Sequence, residues 1–149
     1  MKIYSIGYGT SRTVPTLIEQ LKKRGIEILV ECRTSPFSKF NPPFSRNALK
    51  PALEAAGIQY LHDERLGGKQ EFGADYEQAI NDLLSQSKEE RPPVILMCSE
   101  LDPRSCHRFK KIGQDLAGQG IQIVHIDKDD TDWQHPIHET SGFFEGFGS

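Results

Sequence analysis

Residues 92–98, PPVILMC, contain the strongest strand signal in the chain, an unbroken apolar run behind a pair of prolines. A continuous apolar run of this kind predicts a strand that is covered on both faces of a sheet. The residues that follow predict an amphipathic helix over 106–120 and a further strand over 121–126, IQIVHI. This strand–helix–strand succession is typical of a parallel sheet whose crossovers are helical.

The same alternation extends back to the N-terminus. Strands are predicted over 2–6, 27–32 and 58–62, and helices over 13–25, 46–57 and 74–88. Thr13 and Ser45 are the predicted helix caps. Because a proline removes a helical hydrogen bond, Pro51 predicts a kink in the second helix or its division into two short pieces.

We therefore expect an α/β fold in which residues 1–149 form a single three-layer, Rossmann-like domain. The sheet should be mainly parallel and five-stranded, with helices on both faces, and residues 127–149 should form a C-terminal tail. In open sheets of this class, ligands bind beyond the carboxyl ends of the strands, where the strand order reverses. A strand order of 3-2-1-4-5 would place the ends of the first and fourth strands beside that crevice.

The bulk composition predicts a cytoplasmic globular domain. Of the 149 residues, 36% are hydrophobic and 26% are charged. The formal net charge of −3 provides no general attraction to nucleic acid. No apolar stretch approaches the ~18 residues that span a bilayer, and the N-terminus reaches Gly7 too early for a secretory apolar region. Three cysteines, an odd number, indicate thiols in a reducing compartment.

Residues 97–109, MCSELDPRSCHRF, join the end of the apolar strand to the predicted helix. The helix should begin near Ser105 or Cys106, where its first N–H groups and its dipole favour a negative group. Arg104 and Arg108 could add donors for a phosphate, sulfate or carboxylate. The motif therefore predicts an anion site at the strand end.

Cysteine chemistry is a second interpretation of this motif. Cys98 and Arg104 have the Cys-x5-Arg spacing with which cysteine-dependent phosphatases and rhodaneses surround an oxyanion. Glu100 and Asp102, however, would repel an anion bound inside the loop. Phosphatase-like or sulfur-transfer chemistry on Cys98 stays open as an alternative, as does a plain loop in which Pro103 forms a turn and Ser105 caps the helix.

A metal site would have to use Cys98, Cys106 and His107, with Cys32 as a fourth candidate. Structural zinc sites usually have closely paired ligands, and Cys98 and Cys106 do not have that spacing. We therefore expect neither a metal nor another cofactor.

Two other strand ends carry polar residues. Residues 5–12, SIGYGTSR, resemble a phosphate-cradling turn but lack a complete G-x-G-x-x-G. At the end of the second strand, Glu31 and Arg33 should point one way and Cys32 the other. An arginine here must pair with a carboxylate, Glu31 or Glu100, or with a ligand, because its unpaired burial is too costly.

These pieces, in this order, resemble the domain-of-unknown-function 488 family. The pieces are the IYSIGYG strand, an arginine followed by SPFS, the LGG loop and the run MCSELDPRSCHR, of which the last is the specific part. The resemblance covers nearly the whole chain up to about Ile126, and it implies a small α/β, Rossmann-like domain without an established reaction. The residues that match the family's motifs are Arg33, Pro36, Ser38, Gly67, Gly68, Cys98, Glu100, Asp102, Cys106, His107 and Arg108.

The chain departs from the family at two places. VECR, residues 30–33, stands where the family usually has Asp-Val-Arg, so Glu31 keeps the charge on a longer side chain and Cys32 is unusual. Arg104 lies where the family tolerates many residues. An arginine that the family can lose is a poor candidate for an essential phosphatase arginine.

We expect an enzyme or enzyme-like domain that binds a small anionic or nucleotide-like molecule at the carboxyl ends of the strands, for hydrolysis or group transfer. The candidate catalytic residues are Glu100 as general acid or base, His107 as a second candidate, and Cys98 as nucleophile. The candidate ligand-binding residues are Gly7, Arg33, Ser38, Gly67, Gly68, Asp102, Cys106 and Arg108. A non-catalytic module that binds a ligand or nucleic acid is the alternative. Nucleic acid is not favoured by the net charge, and a membrane partner is not expected.

Overall fold

The computed structural model describes residues 2–8, 12–33, 36, 41–67, 73–86, 92–98 and 107–134, and it describes residues 107 and 108 by their backbone only. The strands are β1 (Lys2–Gly7), β2 (Ile28–Glu31), β3 (Gln59–His62), β4 (Val94–Cys98), β5 (Gln122–Ile126) and β6 (Asp132–Gln134). The helices are α1 (Val14–Lys23), α2 (Arg46–Ala55), α3 (Ala74–Gln86) and α4 (His107–Gly118). Two short 3₁₀ turns lie at Pro42–Phe44 and Glu64–Leu66.

The strands form one six-stranded sheet in the order β3-β2-β4-β1-β5-β6. Strands β1 to β5 are mutually parallel, and β6 pairs with β5 in the antiparallel sense. The expected α/β class and mainly parallel sheet are confirmed, whereas the five-stranded, Rossmann-like sheet is not. The order 3-2-1-4-5 is wrong because β4 lies between β2 and β1. All five residues of β4 are buried, as suits a strand that is apolar on both faces and has a strand on each side.

The strand order places the helices on opposite faces of the sheet. The chain moves from β1 through β2 to β3 in one direction and from β3 through β4 to β5 in the other, so right-handed crossovers put α1 and α2 on one face and α3 and α4 on the other. Each face has its own buried apolar cluster. We call the two faces of the sheet the α1/α2 face and the α3/α4 face. None of the helices in the described ranges is long and apolar enough to cross a membrane.

The predicted caps of the first two helices are found in the structure, whereas the predicted effect of the proline within the second helix is not. The Thr13 hydroxyl accepts a hydrogen bond from the Thr16 N–H at 3.3 Å, which confirms the predicted cap of α1. Ser45 occupies the predicted cap position of α2. The predicted division of α2 is wrong, because the helix continues through Pro51. The carbonyl that loses its partner belongs to Asn47, an exposed residue where water can bind instead.

Strand β6 lies within the segment predicted as a tail. Its three residues, Asp132–Gln134, are all exposed, so the sequence carries no apolar pattern that would announce a strand. The turn before it is organised by the Asp127 carboxylate, which accepts hydrogen bonds from the Thr131 N–H at 2.9 Å and the Trp133 indole at 2.6 Å. A backbone φ of 63° at Asp130 completes the turn. The rest of the predicted tail, residues 135–149, lies outside the described residues.

Candidate functional site

The carboxyl ends of β1, β2 and β4 meet at one edge of the sheet. Gly7 is the register partner of Cys98, and Glu31 is the register partner of Met97. Because β1 leads to a helix on one face and β4 to a helix on the other, the chain diverges between these neighbouring ends, which is where open α/β sheets bind ligands. The ends of the first and fourth strands are therefore adjacent, although the strand order differs from the expected one.

Arg33 lies just beyond β2 and pairs with Glu31. Its Nε donates to Glu31 Oε2 at 2.7 Å, and its Nη2 donates to Glu31 Oε1 at 2.5 Å. Nη2 also donates to the Phe44 carbonyl at 2.6 Å. The Arg33 side chain is 8% exposed and the Glu31 side chain is fully buried. Of the partners that the sequence left open for Arg33, the structure shows Glu31.

Aromatic residues complete what we call the arginine cluster, which consists of Tyr8, Glu31, Arg33, Phe44 and Tyr60. The guanidinium carbon lies 4.7 Å from the centroid of the Tyr8 ring, and the Tyr8 and Phe44 rings stack with centroids 4.8 Å apart. The Tyr60 hydroxyl donates to Glu31 Oε1 at 3.1 Å. Burial and the negative charge of Glu31 raise the pKa of the Tyr60 phenol above its ordinary value. The three aromatic residues belong to the apolar cluster of the α1/α2 face.

One nitrogen of the buried guanidinium has no hydrogen-bond acceptor among the described residues. In that part of the chain Arg33 Nη1 is buried without a hydrogen-bond partner, whereas Nε and Nη2 are fully engaged. Burial by itself lowers the pKa of Arg33, but the hydrogen bonds and charge of Glu31, with smaller contributions from Tyr8, outweigh it and raise the pKa above its ordinary value. The side chain therefore stays protonated, and Nη1 is the nitrogen that can donate to a further acceptor. An unsatisfied buried donor costs about 1–3 kcal/mol, which an acceptor on a ligand would recover.

The opposite face of the same edge carries thiols instead of charges. Cys32 and Cys98 both belong to the apolar cluster of the α3/α4 face. Side chains alternate along a strand, so Cys32 points away from the arginine cluster although it lies between Glu31 and Arg33. The structure thus places the Arg33 and Cys98 side chains on opposite faces of the sheet.

A buried Ser–His pair lies on the α3/α4 face, two residues further along the strands from the carboxyl edge than the thiols. The Ser5 hydroxyl and His125 Nδ1 are 2.5 Å apart, and both residues are buried. They are register partners on β1 and β5. The sequence did not predict this pair, because its only signal is a single polar residue at an inward position of each strand.

Arg12, the cation of the predicted phosphate-cradling turn, bonds within the protein. Its Nε donates to the Gly7 carbonyl at 2.7 Å and its Nη2 to the Asp127 carbonyl at 3.1 Å, while Nη1 donates to Gln20. Burial lowers the pKa of Arg12 and outweighs the charges of nearby carboxylates, which raise it. Arg12 therefore ties the end of β1 to the end of β5. Residues 9–11 of that turn lie outside the described residues.

The remaining sequence-predicted residues divide into two groups. Gly67 ends the second 3₁₀ turn, where its N–H donates to the Glu64 carbonyl at 2.8 Å, and α4 begins at His107 followed by Arg108. Ser38, Gly68, Glu100, Asp102 and Cys106 lie outside the described residues. The grouping of these side chains into one site remains a prediction. Within the described part of the chain, no three His, Cys, Asp or Glu residues approach closely enough to hold a metal ion.

Comparison with known proteins gives one match. Residues 13–82 match the family described as domain of unknown function DUF488. This segment runs from the cap of α1 to the middle of α3, so it contains Glu31, Arg33, Phe44 and Tyr60 of the arginine cluster. No curated protein and no solved structure matches the chain. Over residues 13–82 this match confirms the resemblance to the DUF488 family that the sequence motifs indicate, whereas the run MCSELDPRSCHR lies outside the matched segment.

Proposed function

We propose that this domain binds a small anionic or nucleotide-like molecule at the carboxyl edge of the sheet, with Arg33 Nη1 as a donor to the anionic group. The observation that supports this most directly is that Nη1, on a side chain only 8% exposed, has no hydrogen-bond partner within the described ranges of the chain. An unsatisfied buried donor costs stability, and an acceptor on a bound ligand, ion or water removes that cost.

The surroundings of Arg33 suit ligand recognition in two ways. Glu31 holds the Nε and Nη2 edge of the guanidinium and Tyr8 supports its plane, so little conformational entropy is lost when a ligand binds Nη1. Burial also lowers the local dielectric and strengthens a charge-assisted hydrogen bond. Phosphate and carboxylate oxygens are the acceptors best suited to this donor. The divergence of the chain between β1 and β4 supports a Rossmann-like mode of binding at this edge.

Catalysis is the second element of the proposal. Glu100 would act as general acid or base, His107 would be the second candidate for that role, and Cys98 would act as nucleophile, in hydrolysis or group transfer. The other ligand contacts in this proposal are Gly7, Ser38, Gly67, Gly68, Asp102, Cys106 and Arg108. The thiol forms of Cys32 and Cys98 are compatible with the cytoplasmic location that we also propose.

A binding module without turnover is the second candidate function. The observation that favours it is the separation of the two chemistries: Arg33 and Cys98 project from opposite faces of the sheet, and Cys98 is only 7% exposed. A ligand held by Arg33 in such a module would be bound and released unchanged.

Ligand binding is tested by thermal shift and calorimetry against nucleotides and phosphosugars. A ligand at about 100 times its Kd should stabilise the wild-type protein by about 2.7 kcal/mol. The variants Arg33→Gln and Arg33→Lys should weaken binding about 10- to 100-fold, because a charge-assisted hydrogen bond contributes about 1.5–3 kcal/mol. The matched control is Arg24→Gln, since Arg24 is similarly buried and ion-paired but lies beside β6. Equal losses of affinity in the Arg24 and Arg33 variants would contradict the assignment.

Catalysis is tested separately with Glu100→Gln and Cys98→Ser in a metabolite-turnover screen. We expect turnover by the wild-type protein to fall by at least an order of magnitude in Glu100→Gln, the size that general acid or base catalysis supplies. Unchanged turnover in both folded variants would exclude the catalytic assignment. A ligand that stabilises the protein and is recovered unchanged would then support the binding module.

A further inference from the structure

Cys32 and Cys98 are neighbours across the β2–β4 ladder. The last register pair of that ladder is Glu31 with Met97, and the Cys32 N–H donates to the Met97 carbonyl at 3.1 Å. In a parallel ladder this bond extends the register by one residue and pairs Cys32 with Cys98. Both residues are thiols, and both side chains belong to the apolar cluster of the α3/α4 face.

The register brings these two thiols close to disulfide geometry. Neighbouring strands lie about 4.8 Å apart, so the Cα atoms of register partners fall within the ~4.4–6.8 Å range of disulfides. Their Cβ atoms point to the same face and follow the strand spacing, whereas a relaxed disulfide has Cβ atoms about 3.5–4.5 Å apart. Closure would therefore draw the two strand ends together by a few tenths of an ångström. A disulfide formed under such strain is readily reduced again.

We propose that Cys32 and Cys98 form a reversible dithiol–disulfide pair that reacts with low-molecular-weight disulfides. The Cys98 thiolate attacks one sulfur of the small disulfide, forms a mixed disulfide and releases one small thiol. The Cys32 thiolate then attacks Cys98 Sγ, closes the Cys32–Cys98 bond and releases the second small thiol. Two protein thiols are oxidised and one small disulfide is reduced to two thiols, which take up the two protons.

Accessibility favours Cys98 as the attacking thiol. Cys98 ends β4 and retains 7% exposure, against 3% for Cys32. Cys32 is the resolving thiol.

The pair connects the two faces of the sheet edge. Arg33 directly follows Cys32 and projects to the opposite face, so movement of the β2 end on closure also moves the backbone that carries Arg33. The disulfide is inferred from the two thiols alone and does not depend on the proposed ligand. An effect of oxidation on ligand affinity would rest on the proposed function as well.

The experiment treats the full chain, under native conditions, with oxidised glutathione and then blocks the remaining thiols. Peptide mapping by mass spectrometry should find Cys32 linked to Cys98, with two hydrogen atoms lost and full reversal by dithiothreitol. Cys106→Ser is the matched control, since it removes the third cysteine and should leave the linked pair unchanged. Cys32→Ser should instead accumulate a glutathione adduct on Cys98.

The peptide map of the wild-type protein is sufficient to test for the Cys32–Cys98 disulfide without any variant. A product that links Cys98 to Cys106, or a native protein that yields glutathione adducts without the Cys32–Cys98 link, would overturn the proposal. The same treatment in denaturant should give mixed pairings. If the native and denatured proteins gave the same mixture of pairings, the register of the strands would not direct the reaction and the proposal would also fail.

Discussion

The two faces of the sheet at the end of β2 differ sharply in chemistry. On the α1/α2 face, Glu31 and Arg33 form a buried ion pair that aromatic rings enclose. On the α3/α4 face, Cys32 packs with Cys98 among apolar side chains. A single residue step therefore separates charged hydrogen bonding from thiol packing, because side chains alternate along a strand. Substitutions at adjacent positions should accordingly have very different effects.

The largest effect is expected at Glu31. Glu31→Ala leaves a buried guanidinium without its counter-ion, so the free energy of unfolding from urea denaturation should fall by about 3–5 kcal/mol. The adjacent control, Cys32→Ala, removes one small apolar group and should cost about 1 kcal/mol. The double variant Glu31→Leu/Arg33→Met should recover much of the loss. Similar losses for Glu31→Ala and Cys32→Ala would remove the contrast between the two faces.

A smaller effect is expected for the buried polar pair on the other face. Ser5→Ala removes the hydroxyl that lies 2.5 Å from His125 Nδ1, and it should reduce the free energy of unfolding by about 1–3 kcal/mol. Ser5→Thr keeps a hydroxyl and serves as the control. A Ser5→Ala protein as stable as the wild type would show that the α3/α4 face depends on apolar packing alone.

The smallest effect is expected at Tyr60, and it depends on pH. Tyr60→Phe removes a single hydrogen bond to Glu31 and should cost about 1 kcal/mol near neutral pH. The raised pKa of Tyr60 means that the folded protein keeps this proton when the unfolded chain begins to lose it, at the ordinary value of 10.0. The contribution of Tyr60 to stability is therefore complete below pH 10 and declines as the pH rises toward the folded pKa.

The measurement is the difference in unfolding free energy between wild type and Tyr60→Phe at several pH values from neutral to alkaline. Other groups that titrate in this range cancel in the difference. The wild type should lose its advantage over the variant as the pH rises above about 10, the ordinary pKa of tyrosine. A difference that stays constant across the range would contradict the coupling of Tyr60 to Glu31.

Much of the architecture was predictable because buried strands and amphipathic helices leave strong local patterns. The apolar run of β4 and the cap at Thr13 are examples of signals that each segment carries by itself. The strand order was not predictable, because β1 and β4 are both apolar. The apolar pattern of a single strand does not indicate which of the two lies nearer the centre of the sheet. Strand β6 escaped prediction because all three of its residues are exposed.

The candidate site follows the same division. Alternation along β2 predicted that Glu31 and Arg33 share a face, and the structure shows their ion pair. The surroundings of Arg33 Nη1 could not be predicted in this way. They depend on the Phe44 carbonyl and the Tyr8 ring, which contact the guanidinium from distant segments of the sequence. The Ser5–His125 pair joins residues 120 positions apart, so only the register of β1 and β5 reveals it.

The two edge strands of the sheet affect the tendency of the protein to associate edge to edge. A long, flat edge strand offers unpaired backbone groups to a second chain and invites edge-to-edge association. Among the strands of the described residues, one edge is β3, with four residues, and the other is β6, with three. Strands this short provide few backbone hydrogen bonds to a docking strand, and β6 brings Asp132 to the rim beside Trp133. The parallel core is thus flanked on both sides by edges that are poor templates for aggregation.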